Sequence, residues 1–130
     1  MIYGIGHDVV EIERIKVMLN GRNGEKFMRR ILTPAEFELP GRSTRSAEFL
    51  AGRFAAKEAV SKAFGCGIGQ VLGFMDMEIL PDVAGKPSVS LSPMAWTRLQ
   101  LNGPKEYTIH LSITHERHLA SAFAVVEQLK

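Results

Sequence analysis

Cysteine, repeats, strong net charge and long apolar runs are all scarce in this sequence, and each shortage excludes something. A lone Cys66 rules out an internal disulfide and fits a reducing cytosol. No apolar stretch approaches the roughly 20 residues that cross a bilayer. The opening Met1–Asp8 lacks the basic start and long apolar core of a signal peptide. A formal net charge of +2 is too small to argue for nucleic acid, and no recognised nucleic-acid-binding motif is present. Gly4-x-Gly6 lacks the third glycine of a dinucleotide fingerprint, which discounts a Rossmann reading. Repeats, low-complexity tracts and linkers are missing too. The 130 residues are therefore expected to form one domain, 1–130, with a modest core. Hydrophobic residues at 45% and charged residues at 23% are ordinary for a globular chain, which excludes disorder.

What is present is organised around Phe49–Gly65, which reads as one long helix. Good helix formers fill it, no proline interrupts it, and Gly65 stands where a left-handed C-terminal cap belongs. At 100° per residue Ala55, Ala56, Ala59, Val60 and Ala63 share a small-residue side suited to close packing on a sheet. Arg53, Lys57 and Ser61 line up at i, i+4, i+8 on the other side, with Glu58 and Lys62 in a second row and Leu50 and Phe54 between. Such a face suits either solvent and salt bridges or a phosphorylated ligand with a metal.

In chain order, Ile2–Val10 alternates as a strand whose two glycines, on the face of Asp8, admit close approach of a backbone or ligand. Glu11–Leu19 reads as a helix. Thr33-Pro34-Ala35-Glu36 carries a capping box with proline at the first helical position. Ser43 or Thr44 is expected to cap the long helix. Phe74–Leu80 alternates as a strand, with Met75, Met77 and Ile79 opposite Asp76 and Glu78. It returns through a Pro81–Pro87 turn into Ser88–Leu91. Ser92-Pro93 starts a helix through Leu101, and Tyr107–Thr114 and Leu119–Glu127 read as strands of a hairpin. The expected class is α+β: an antiparallel sheet packed against a long helix and shorter helices.

Asp8 and Glu58 are the two most telling carboxylates. Where the first strand packs beside the long helix they can share one hard cation, with water and phosphate oxygens completing an octahedron. Alternatively Asp8 caps the Glu11 helix and Glu58 pairs with Lys62. Arg53, Lys57, Lys62 and His115 are candidates to neutralise phosphate, although a strand-end histidine is by position more often structural. Cys66 has no partner histidine placed by sequence. Arg14, Lys16, Arg22, Lys26, Arg29 and Arg30 face only Glu25 as an acid in their stretch, a local basic patch suited to an acidic protein or a phosphate-bearing partner.

Five ordered stretches resemble the holo-acyl-carrier-protein synthases, the short-chain branch of the phosphopantetheinyl transferases. They are Gly4-Ile-Gly-His-Asp8-Val-Val-Glu11-Ile-Glu-Arg14-Ile15, Phe27-Met-Arg-Arg-Ile-Leu-Thr33-Pro-Ala-Glu36, Arg53-Phe-Ala-Ala-Lys57-Glu58-Ala-Val-Ser61-Lys62-Ala63, Gly85-Lys86-Pro87 and Ser112-Ile-Thr-His115. The likeness runs from Gly4 to Glu127. It implies transfer of the 4′-phosphopantetheine arm of coenzyme A to a serine of apo acyl carrier protein, with release of 3′,5′-ADP, in support of fatty acid biosynthesis. It implies Mg²⁺ held by Asp8 and Glu58, and catalysis by Glu58, Asp8 and Lys62. Coenzyme A would be bound through Arg53, Lys57, Ser61, Lys62, Gly65, Pro87 and His115. Arg14, Arg22 and Arg29 would meet the acidic recognition helix of the carrier. The resemblance further implies a cytoplasmic homotrimer with sites between subunits. Such chemistry rests on positioning and charge neutralisation more than on a protein nucleophile. Cys66 departs from the threonine expected in the glycine loop, and it is a poor hydrogen-bond donor. Two other readings remain open on residues alone: a basic-patch binding module without chemistry, and a phosphatase-like enzyme using the same metal site.

Overall fold

The long helix lies at the centre of the fold in the computed structural model, which describes residues 1–129. In chain order come β1 (Ile2–Glu11), α1 (Ile12–Asn20), α2 (Gly24–Ile31), α3 (Pro34–Phe37), α4 (Gly41–Thr44) and α5 (Ser46–Ala63). A 3-10 turn (Phe74–Asp76), β2 (Met77–Pro81), β3 (Pro87–Leu91), α6 (Pro93–Leu99), β4 (Tyr107–His115) and β5 (Leu119–Gln128) follow. β1, β5 and β4 form an antiparallel sheet in that order, and β2 pairs antiparallel with β3. The α+β class and both expected hairpins are present.

α5 packs across β1, β5 and β4 on one side and meets α1, α2 and α4 elsewhere. Ala55, Ala56, Ala59, Val60 and Ala63 are buried as their spacing predicts. The opposite row is not a solvated face. Lys57 and Ser61 are fully buried, and around Lys57 the end of α2, α3 and the 3-10 turn before β2 cover the back of the helix. A helix covered on both sides has no wide wet stripe, and its mixed composition reflects internal ion pairing rather than exposure.

Contact between β1 and α5 is backbone to backbone. A Cβ at Gly6 would lie 1.9 Å from the Ala59 carbonyl oxygen, and one at Gly4 would lie 1.9 Å from that of Ala63. The Gly4-x-Gly6 pair therefore admits a helix, and this approach sets Asp8 beside the last turns of α5. Gly6→Ala is expected to cost about 3 kcal/mol or to prevent folding. Gly69→Ala, whose Cβ meets nothing within 4 Å, should change little. Urea unfolding followed by circular dichroism checks both, and an unchanged midpoint for Gly6→Ala would contradict the close packing.

Three local expectations are corrected. α5 begins at Ser46 with Arg45 as N-cap and no side-chain cap bond; the Ser43 and Thr44 hydroxyls instead donate to the Pro40 carbonyl. Phe27–Leu32, to which the sequence reading assigns no element, lies mostly within α2. The Phe74–Leu80 strand begins only at Met77. Asp76 there accepts from the Gly73 amide, the Ser92 hydroxyl and Arg98, closing a 3-10 turn and leaving Met75 exposed. The capping box at Thr33 and Glu36 is formed as expected.

Candidate active site

Asp8, near the end of β1, and Glu58, on α5, line one cleft of about 380 Å³ together with Arg14, Phe27 and Phe54. Lys62, one turn beyond Glu58, donates to Asp8 Oδ1 at 3.1 Å and to the His7 carbonyl at 3.1 Å. Its partner is thus Asp8, not Glu58. Nor does Asp8 cap α1, whose N-cap is Glu11 without a side-chain bond. Burial pushes the Glu58 carboxyl above its usual range; the Asp8 charge adds to this and Lys62 opposes it. Among the described residues Glu58 has no ion-pair partner within 4.0 Å, and no three His, Cys, Asp or Glu residues gather as a metal cluster. The chain therefore offers two hard carboxylate donors and leaves further coordination positions to oxygens from elsewhere, a pattern suited to Mg²⁺ rather than to a dedicated all-protein cage.

A second cleft, about 780 Å³, lies at the other end of α5 and is lined by Arg45, Arg53, Lys86, Pro87 and His115 among others. Arg53 Nη2 donates to the Ile79 carbonyl at 3.0 Å, and its guanidinium carbon stands 4.7 Å from the centre of the Phe49 ring. Burial lowers its pKa, while Glu36 holds it up. His115 Nε2 is 3.4 Å from Arg45 Nη1. Two arginines, a lysine and a histidine make this a cleft for an anionic ligand.

The candidate residues from the sequence thus divide. Asp8, Glu58, Lys62 and Arg14 come together, as do Arg53, Pro87 and His115. Lys57 and Ser61 do not face a ligand. Lys57 Nζ donates to the Ile31 carbonyl at 2.6 Å, to Glu36 Oε1 at 2.7 Å and to the Phe74 carbonyl at 3.1 Å, so all three protons are used internally. Ser61 Oγ donates to the Glu58 carbonyl at 2.7 Å. These internal bonds count against side-chain contact of either residue with coenzyme A; helical spacing places them on a polar row without revealing what covers it. Gly65, at φ +84°, turns the chain out of α5, and its amide bonds the Lys62 carbonyl at 2.9 Å. Cys66 Sγ reaches the Ser61 carbonyl at 3.7 Å, and burial pushes its thiol up, away from a ready thiolate. Arg22 and Arg29 are exposed on the α1–α2 side. Arg29 pairs with Glu25 at 3.0 Å and lies 4.3 Å over Phe37.

Arg45 and Lys86 line the second cleft beyond the residues the sequence singles out. Lys86 stands inside the Gly85-Lys86-Pro87 stretch, which is a signal for it; Arg45 precedes the helix that the sequence indicates from Phe49.

The family model of the 4′-phosphopantetheinyl transferase superfamily matches residues 4–124. A holo-[acyl-carrier-protein] synthase of Geobacillus kaustophilus is 50% identical, over 99% of this chain and 92% of its own. Among solved structures, a holo-(acyl-carrier-protein) synthase from Bacillus anthracis in complex with CoA (3′,5′-ADP) is similar at TM-score 0.78 and 44% identity, covering 98% of each chain. The Helicobacter pylori holo-[acyl-carrier-protein] synthase in complex with coenzyme A is similar at TM-score 0.81 and 34% identity, covering 95% of this chain and 99% of that one.

Proposed function

The chain belongs to the 4′-phosphopantetheinyl transferase superfamily, and we infer from this that it is a holo-[acyl-carrier-protein] synthase. It transfers phosphopantetheine from coenzyme A to apo acyl carrier protein. The observation that carries the reading is whole-length likeness to such synthases, joined to two carboxylates and a lysine at one cleft.

Asp8 and Glu58 would hold Mg²⁺, and the bound ion would neutralise charge on the diphosphate of coenzyme A. The chain's own residues account for the remainder. The carrier serine oxygen bonds to the β-phosphorus, and the bond from that phosphorus to the bridging oxygen breaks. The electron pair leaves with 3′,5′-ADP, and the serine proton passes to Glu58. Glu58 lines the same cleft as Asp8 and is the carboxylate placed to take that proton. Lys62 shifts from Asp8 toward the leaving phosphate. Arg53, Pro87, Gly65 and His115, with Arg45 and Lys86, bind coenzyme A. Arg14, Arg22 and Arg29 receive the acidic helix of the carrier.

In one chain the two clefts share no residue, and the outer face of the β1–β5–β4 sheet exposes Ile5 at 61%, Val9 at 50% and Phe123 at 44%. Both features support a homotrimer that buries this face and completes each site from two subunits. We assign the single transferase domain, 1–130, to the cytoplasm and to supplying carrier for fatty acid synthesis. No helix is long and apolar enough to cross a membrane.

Intact-mass measurement of apo acyl carrier protein incubated with the chain, coenzyme A and Mg²⁺ should show a gain of one phosphopantetheine, absent with EDTA. No gain on a carrier that a known synthase modifies would overturn the assignment.

A further inference from the structure

Arg53 is held by a charge it does not contact closely. Its Nε is the one buried side-chain polar atom without a hydrogen-bond partner among the described residues. The nearest carboxylate, Glu36, lies 3.8 Å away through Oε2. Glu36 is fully buried, and its oxygens are already engaged. Oε1 accepts from Lys57 Nζ at 2.7 Å and from the Thr33 amide at 2.8 Å, and Oε2 accepts from the Ile79 amide at 2.7 Å. Glu36 and Lys57 therefore form a neutral pair behind the helix, and Arg53 remains a surplus cation in the wall of the cleft that Pro87 and His115 share.

A short, bidentate Glu–Arg pair would have quenched that cation. Here the carboxylate is committed elsewhere, so it attracts the guanidinium without taking up its donors. The Ile79 carbonyl and the Phe49 ring fix the rest of the group. Burying a guanidinium beside a carboxylate committed elsewhere is costly, and the arrangement is coherent when an anion in the cleft that Arg53 lines neutralises its charge. Lys57 serves the same end indirectly, because its ammonium, 2.7 Å from Oε1, holds the Glu36 carboxylate in place.

We propose that buried Glu36, locked by Lys57, is a positioning residue that presents Arg53 to the phosphate groups of coenzyme A. This rests on the transferase reading above. It predicts an effect on coenzyme A that runs through Arg53 alone.

The test is a mutant cycle on the full chain, reading coenzyme A affinity by calorimetry and KM for coenzyme A against KM for the carrier. Two probes of Glu36 are used side by side. Glu36→Gln with Lys57→Met removes both buried charges, and Glu36→Asp keeps the charge but withdraws it from Arg53. Each is made with Arg53 intact and with Arg53→Ala, and circular dichroism reports which variants fold. The expected result is about tenfold weaker coenzyme A binding with Arg53 present, little change in KM for the carrier, and no further loss in the Arg53→Ala background. Full affinity in a folded probe, or a loss of equal size in the Arg53→Ala background, overturns the proposal. If the Gln–Met pair does not fold, Glu36→Asp alone decides between the same outcomes. Wild-type chain failing to modify any carrier would instead remove the transferase reading, so the two failures are distinguishable.

Discussion

Glu58→Ala is expected to lower kcat/KM for carrier modification by at least about 10²-fold, with a native circular dichroism spectrum. Glu58 is half-buried, it has no ion-pair partner within 4.0 Å among the described residues, and its side chain supports no cap, so removing it leaves the packing of α5 intact. Asp8→Ala should lose activity comparably. Its own stability cost should be small, because Asp8 caps no helix and its ion pair to a half-exposed Lys62 is of the weak surface type. Full Mg²⁺-dependent turnover in both variants would sink the assignment of metal and base together. The same variants test the shared site. The proposed intersubunit site predicts that Glu58→Ala chains refolded with His115→Ala chains regain part of the activity, since a trimer of mixed chains would contain interfaces with both residues intact. Mixtures no more active than either parent would mean that no site draws these two residues from different subunits.

How far the sequence reached can be read from the same residues. Alternation and glycine placement were enough for β1 to β5, since a period of two survives wherever one face is buried. Asp8 and Glu58 stood out because carboxylates beside small residues are conspicuous at a strand–helix contact. The close approach at Gly4 and Gly6 was anticipated in kind; that its partner would be the α5 backbone was not. What remained hidden depends on a second layer. The 100° spacing of Arg53, Lys57 and Ser61 says they share a side of the helix, but not that Lys57 and Ser61 are buried or that α2 and α3 meet Lys57. Glu36 was legible as a capping residue, because a capping box is local. Its pairing with Lys57 spans 21 residues and has no local signature. The separation of Arg53, Pro87 and His115 from Asp8 and Glu58 was equally invisible, since no pattern in one chain reports which end of a helix a distant loop will meet.

Truncating Lys57 should be strongly destabilising although the side chain lines neither cleft. The side chain is fully buried, and its three protons tie the end of α2, the capping box of α3 and the 3-10 turn at Phe74 to the central helix. Lys57→Ala takes the close counter-charge from buried Glu36, leaving it only Arg53 at 3.8 Å, and strands two backbone carbonyls, which together cost about 3–5 kcal/mol. For a domain of this size that corresponds to a fall in melting temperature of roughly 10–20 °C. Burial lowers the Lys57 pKa and Glu36 opposes it, so the ammonium is tolerated inside only because its counter-charge is there. Removing both charges should therefore cost less than removing one. Glu36→Gln combined with Lys57→Met is expected to recover at least half of the stability that Lys57→Met alone loses, as urea unfolding of the three variants will measure. A double variant no more stable than the single one would mean that Lys57 acts through its packing rather than through its charge.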